Sequence, residues 1–175
     1  MSKTALLVID MLNTYDHPDA ESLADNVAKI VDPMADLIRR ARERPDVDLI
    51  YVNDNRGDFT ADRDDLVRQA LDGARPDLIE PIAPSDDCMF LTKVRHSAFY
   101  ATPLGYLLGR LETKCVILTG QVTEQCILYT ALDAYVRHFH VICADVLRNT
   151  AMLCIGEQEF CLSDRVEKTG FTVVY

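Results

Sequence analysis

Four stretches of the chain are apolar almost without interruption: TALLVID at 4–10, DLIYVND at 48–54, CVILTG at 115–120 and HVICAD at 140–145. Short continuous apolar runs of this kind predict strands buried on both faces rather than strands with one wet side. FLTK at 90–93 reads as a shorter strand. Between the strands the period changes to that of a helix. Leu23, Val27, Ile30, Met34, Leu37 and Ile38 recur at helical spacing over 20–43, and Pro33 should kink or restart that helix. Leu104, Leu107, Leu108 and Leu111 follow a Thr102-Pro103 start, expected as N-cap and first helical residue. A helix over 124–138 should turn Leu128, Leu132, Tyr135 and Val136 inward. Residues 56–88 are polar and acidic, with one helix predicted at about 62–72.

Strands alternating with helices imply parallel β-α-β units. The expected fold is therefore a three-layer α/β/α sandwich around a mostly parallel, Rossmann-like sheet, in a single domain over 1–175. The tail at 146–175 follows no pattern that extends this scheme. In such a sheet ligands bind outside the carboxyl ends of the strands. Asp10, Asn53, Asp54 and the turn at 120–126 are thus the places to look for chemistry.

Charge narrows the functions. A net charge of −10 and a pI near 4.7 leave no basic footprint for nucleic acid or an anionic membrane. The N-terminal apolar run ends at Asp10, too soon for a signal peptide, and no run reaches membrane-spanning length. The six cysteines form no CxxC pair or metal-finger spacing, so reduced thiols in a cytoplasm are expected. The four histidines form no HExxH pattern and read as surface or capping residues.

One cysteine is placed differently. Cys126 follows the strand at 115–120 and falls near the start of a helix if Thr123 is its N-cap. Backbone N–H groups and the helix dipole there should lower the thiol pKa and offer donors to an oxyanion; the alternative is one more packed thiol. Asp10 is a candidate general base or a loop residue. Lys93 ends an apolar strand, where a lysine is out of place unless paired. Asp10, Asp54 and Lys93 also mimic the acidic pocket of a phospho-acceptor module, although Met11 stands where such a module carries a second acid.

VID at the first strand end, LTKVRHSAF, and LTGQVTEQCILYTALDAY together resemble the isochorismatase-like cysteine hydrolases, over residues 4–145. That family includes nicotinamidases, N-carbamoylsarcosine amidases and isochorismatases. The resemblance implies a catalytic triad of Asp10, Lys93 and Cys126, and a cis peptide between Gln121 and Val122. It also implies oxyanion donors from the N–H groups of Val122 and Cys126. The implied reaction is metal- and cofactor-independent cleavage of a small amide or carbamoyl C–N bond through a Cys thioester. Vinyl-ether hydrolysis and an idle binding member are the alternatives. NDNRGDF lacks the histidine of the nicotinamidase metal site, so no metal is expected. By position, Tyr15, Asn53, Asn55 and Phe99 are candidates to line the substrate pocket. The family further implies a homo-oligomer, a dimer or tetramer.

Overall fold

The computed structural model of the protein describes residues 3–145 and 150–155. The apolar runs form the strands β1 (Lys3–Ile9), β2 (Val47–Asp54), β3 (Met89–Lys93), β4 (Thr113–Gly120) and β5 (His140–Asp145). Five helices lie between them: α1 (Ala20–Val27), α2 (Val31–Arg42), α3 (Arg63–Leu71), α4 (Leu104–Arg110) and α5 (Leu128–Val136). A sixth strand, β6 (Thr150–Ile155), falls in the tail that followed no pattern. The other tail residues, Cys161 among them, lie outside the described residues.

The strands form one sheet in the order β3-β2-β1-β4-β5-β6. All neighbours are parallel except β5 and β6, which are antiparallel. This is the mostly parallel sheet expected. Alternate residues of each strand face opposite sides. Leu6, Val8, Leu49, Tyr51 and Ile117 join α1, α2 and α3 in one apolar layer. Ala5, Leu7, Ile9, Ile50, Val52, Val116 and Leu118 join α4 and α5 in the other. The chain thus has three layers, and β1 is covered on both faces along its length.

Three details differ from the sequence reading. The predicted single helix is two, interrupted at 28–30, and Pro33 sits inside the first turn of α2, where its missing N–H costs nothing. Pro103, not Thr102, occupies the N-cap position of α4; the Thr102 hydroxyl instead donates to Ala98 O and accepts from the Leu104 N–H. The largest difference is the phase of α5. Ile127, Thr130, Ala131 and Ala134 face the sheet, while Leu128, Leu132, Tyr135 and Val136 are each about half exposed or more. Small residues let the helix lie close to the sheet, so the large apolar side chains are turned out. α3 begins as its sequence requires, with a reciprocal capping box between Asp62 and Asp65.

The strand order reverses at β1: the chain builds β2 and β3 on one side, then returns to add β4 and β5 on the other. A crevice opens beyond the carboxyl ends at such a reversal. Among the described residues no helix is long and apolar enough to cross a membrane.

Candidate active site

Three strand ends deliver the chemistry. Asp10 follows β1, Lys93 ends β3, and Cys126 lies in the turn after β4. Lys93 must cross the end of β2 to reach β1, two strand spacings or roughly 10 Å away. A long, straight side chain is what that distance needs. The Lys93 ammonium lies 2.8 Å from Asp10 Oδ2, 3.4 Å from Asp54 Oδ2 and 3.6 Å from Cys126 Sγ. The Cys126 thiol also lies close enough to the Asp10 carboxylate for each to shift the other's protonation. The three residues read from the sequence therefore meet at one point, and Asp54 joins them.

The backbone around this point is held in irregular shape by identifiable contacts. Asp10 has φ of +55°, where a non-glycine residue needs external support. Its N–H donates to Val52 O, its carbonyl accepts from the Gln121 side-chain amide at 2.7 Å, and its Oδ1 accepts the Asp54 N–H at 2.7 Å. Gly120 has φ of +135°, and a Cβ there would stand 2.0 Å from Ile9 O. No other residue type fits without moving β1 from β4. The Gln121–Val122 peptide is cis.

Cys126 does not sit behind a Thr123 cap. Val122 is the extended residue before the helical turn, and no side chain caps it. The turn at Thr123–Ile127 is π-helical, closed by the Ile127 N–H donating to Val122 O, and α5 continues from it. Thr130 ties it down: its hydroxyl donates to Cys126 O at 2.6 Å and accepts the Ala98 N–H at 2.9 Å. Ser97 donates to Asp133, which also pairs with Arg137. The S-A-F part of the motif after Lys93 thus clamps its loop to α5.

Electrostatics also differ from the helix-start expectation. Burial, then the negative charge of Asp10, pushes the Cys126 thiol up to about 12. Burial also raises Asp10 above the usual carboxylate value, outweighing the opposing pull of Lys93. For Lys93, burial works against the ammonium, but Asp10, Cys126 and Asp54 outweigh it and raise its pKa. The Lys93 ammonium thus stands at ion-pair distance from the Asp10 carboxyl group, beside a protonated thiol. A raised carboxylate touching a thiol is an acceptor for its proton, so attack and proton transfer can occur together.

The four residues placed near the pocket by position are all buried, at most 7% exposed. Asn53 braces the loop after β1, accepting the Leu12 N–H and donating to Leu12 O. Asn55 accepts the Gly57 N–H in its own turn, and its N–H donates to Lys93 O. Phe99 stacks on Phe139 with the Arg137 guanidinium over its ring. Tyr15, with φ of +53°, packs into the layer of α1–α3. Sequence position brought them to the right end of the sheet, but the two asparagines spend their polar atoms on its frame. Thr130 and the side chain of Gln121, which hold Cys126 and Asp10, were not singled out, Gln121 having been named only for its peptide bond; a threonine four residues after the cysteine was the available signal.

Arg56, two residues after Asp54, donates to Thr14 and Asp16. Among the described residues no group of three or more His, Cys, Asp or Glu is arranged to hold a metal ion.

Residues 4–145 match the isochorismatase domain family. The isochorismatase family protein YaaI of Bacillus subtilis (strain 168) is 38% identical over 143 residues, 81% of this chain and 78% of that protein. The maleamate amidohydrolase of Pseudomonas putida is 32% identical over 168 residues, 89% of this chain and 73% of the relative. In three dimensions, the N-carbamoylsarcosine amidase of Thermoplasma acidophilum superposes with a TM-score of 0.65 at 27% identity, covering 83% of each chain. The isochorismatase-like hydrolase of Alkaliphilus metalliredigens superposes equally well, at 26% identity over 83% of this chain and 80% of the other. The chain belongs to the isochorismatase family and is a hydrolase.

Proposed function

We propose that the protein is a cysteine hydrolase that cleaves the C–N bond of a small amide or carbamoyl compound, with Cys126 as nucleophile. The observation that carries this reading is the contact of one buried ammonium, Lys93, with both the Asp10 carboxylate and the Cys126 sulfur. Relatives named as maleamate and ureidoacrylate amidohydrolases support the amide class.

The chemistry follows from the resting charges. Asp10 accepts the thiol proton as Sγ bonds to the substrate carbonyl carbon. The carbonyl oxygen becomes an oxyanion, for which the N–H groups of Val122 and Cys126 are the proposed donors. Collapse breaks the C–N bond, and the proton on Asp10 goes to the departing nitrogen, leaving a thioester. Water then adds to the thioester as Asp10 takes its proton; the C–S bond breaks, Asp10 returns that proton to the departing sulfur, and the acid and the free thiol result. Lys93 stays cationic throughout, opposite whichever group carries the negative charge.

The test is ammonia or amine release from a panel of small amides, ureido and carbamoyl compounds. Cys126→Ala should lose at least about a thousandfold in kcat with the fold intact by circular dichroism. Turnover unchanged in that variant removes the thioester route.

We also propose that the chain acts as a homo-oligomer in which a second copy covers the outward face of α5. Leu128, Tyr129, Leu132, Tyr135 and Val136 form an apolar surface there, and a stripe on one helix meets itself when two copies pair about a two-fold axis.

A further inference from the structure

We propose that Asp54 is a positioning residue for Lys93, holding its ammonium charged and in place when Asp10 is neutralised during attack. The proposal rests on the triad reading above. An ammonium has three N–H donors, and Lys93 Nζ faces three acceptors: Asp10 Oδ2 at 2.8 Å, Asp54 Oδ2 at 3.4 Å and Cys126 Sγ at 3.6 Å. Two of these belong to the proton transfer. The third does not.

The strand register puts Asp54 where this role requires it. Asp54 is the last residue of β2 and pairs directly with Lys93 of β3. It therefore lies on the path the lysine takes toward Asp10. Its Oδ1 accepts the Arg56 N–H at 2.7 Å, which fixes the carboxylate and leaves Oδ2 to Lys93. The Arg56 guanidinium is directed elsewhere, to Thr14 and Asp16. The charged and titratable groups at the point are thus Asp10 from β1, Asp54 from β2, Lys93 from β3 and Cys126 from the turn before α5.

Charge decides what Asp54 contributes. Before attack, two carboxylates share one ammonium and the thiol is neutral. When Asp10 takes the thiol proton it stops being an ion partner. Lys93, only 1% exposed, would then be a buried cation facing a single new negative charge that moves from sulfur to the carbonyl oxygen. Asp54 takes no part in the proton transfer, and its Oδ2 faces the ammonium whichever position the new charge occupies. A buried ammonium without a fixed carboxylate loses its proton more easily, and a neutral amine would no longer oppose the developing charge.

Asp54→Asn separates this role from a structural one. It keeps the backbone N–H that binds Asp10 and an oxygen for the Arg56 N–H, and removes only the charge. The experiment follows Lys93 by the pH-dependent shift of its 13Cε in lysine-labelled full-length protein. Asp10→Asn imitates the neutral Asp10 of the attack step. In that background Lys93 should remain charged, and adding Asp54→Asn should lower its titration midpoint by about one pH unit or more. Coincident midpoints in the single and double variants overturn the proposal. Activity gives an independent measurement: Asp54→Asn alone should reduce kcat about tenfold with KM little changed, and move the alkaline limb of the rate profile to lower pH. A kcat loss with an unmoved alkaline limb assigns Asp54 a structural role and also overturns it. If the wild-type protein hydrolyses no amide, the hydrolase reading fails while the Lys93 titration still answers for Asp54.

Discussion

The bodies of the central strands and the rim just beyond their ends obey different rules. From Thr4 to Ile9, β1 is paired on both sides and every residue is at most 1% exposed. One residue later the backbone of Asp10 has turned to positive φ, with Gly120 and the cis Gln121–Val122 peptide beside it. The interior selects for apolar volume and for nothing more particular. The rim fixes four polar groups within hydrogen-bond reach by spending backbone amides, a side-chain amide and a glycine on them. Stability is concentrated in the first region and chemistry in the second, and the two are joined by single residues.

The widest separation between them is expected from pH. Asp10 must be ionised to accept the thiol proton, and its pKa is raised from the model-compound value of 3.8. Activity should therefore fall about tenfold for each pH unit below that raised pKa. On the alkaline side Lys93 is raised above 10.5 and the thiol is pushed up to about 12, so above the Asp10 limb the profile should stay flat to about pH 10. A rate profile of kcat/KM against pH, with near-ultraviolet circular dichroism over the same range, checks both limbs. An acid limb near the usual thiol value, in place of the Asp10 limb, would mean that Cys126 reacts as a preformed thiolate, against the burial described above.

Gly120→Ala attacks the joint between the regions. The new Cβ would have to occupy the space of Ile9 O, so β1 and β4 must separate or the turn must move. A loss of about 3 kcal/mol or more is expected in denaturant unfolding, with activity lost in the protein that remains folded. A variant of normal stability and normal rate would show that the rim tolerates a different path. Thr130→Val is a smaller intervention of equal shape. It removes the donor to Cys126 O and the acceptor of the Ala98 N–H, which should cost about 1–3 kcal/mol. The turnover rate should drop further than stability alone explains, since Cys126 loses its tether.

How far these features were legible depended on what each residue had to contrast with. Asp10 and Lys93 stood out because an apolar strand gives a polar end residue nowhere neutral to be. Cys126 stood out through its spacing from the end of β4. Asp54 was visible only as one strand-end residue among several, since Asn53, Asp54 and Asn55 together also read as an ordinary strand-to-turn transition, and the register with Lys93 is what separates it from them. Gln121 acts on a residue 111 positions away, and no local pattern carries such a pairing. The strand β6 was missed because the tail offered no alternation with a helix, which is the signal that organises the rest of the sheet. The thiol pKa was misjudged because a helix start was weighed without the burial and the carboxylate that accompany it.

The helix α5 was read with the right period and the wrong phase, and its two faces give the finest test. Two interleaved sets fit a helical repeat: Ile127, Thr130, Ala131 and Ala134, and Leu128, Leu132, Tyr135 and Val136. Size favours the second set for the core. Closeness to the sheet selects the first, because Ala131 and Ala134 are at most 1% exposed and leave no room for larger groups. Ala131→Asp should accordingly unfold the protein or cost several kcal/mol, as an unpaired charge in a packed layer does. Leu132→Asp, one residue on, should change the stability of the single chain by no more than about 0.5 kcal/mol. Its effect should appear in sedimentation equilibrium, where a wild-type oligomer held by this face dissociates. A wild-type protein that sediments as a monomer at all concentrations removes the proposed pairing, and a Leu132→Asp variant that unfolds would return that residue to the core.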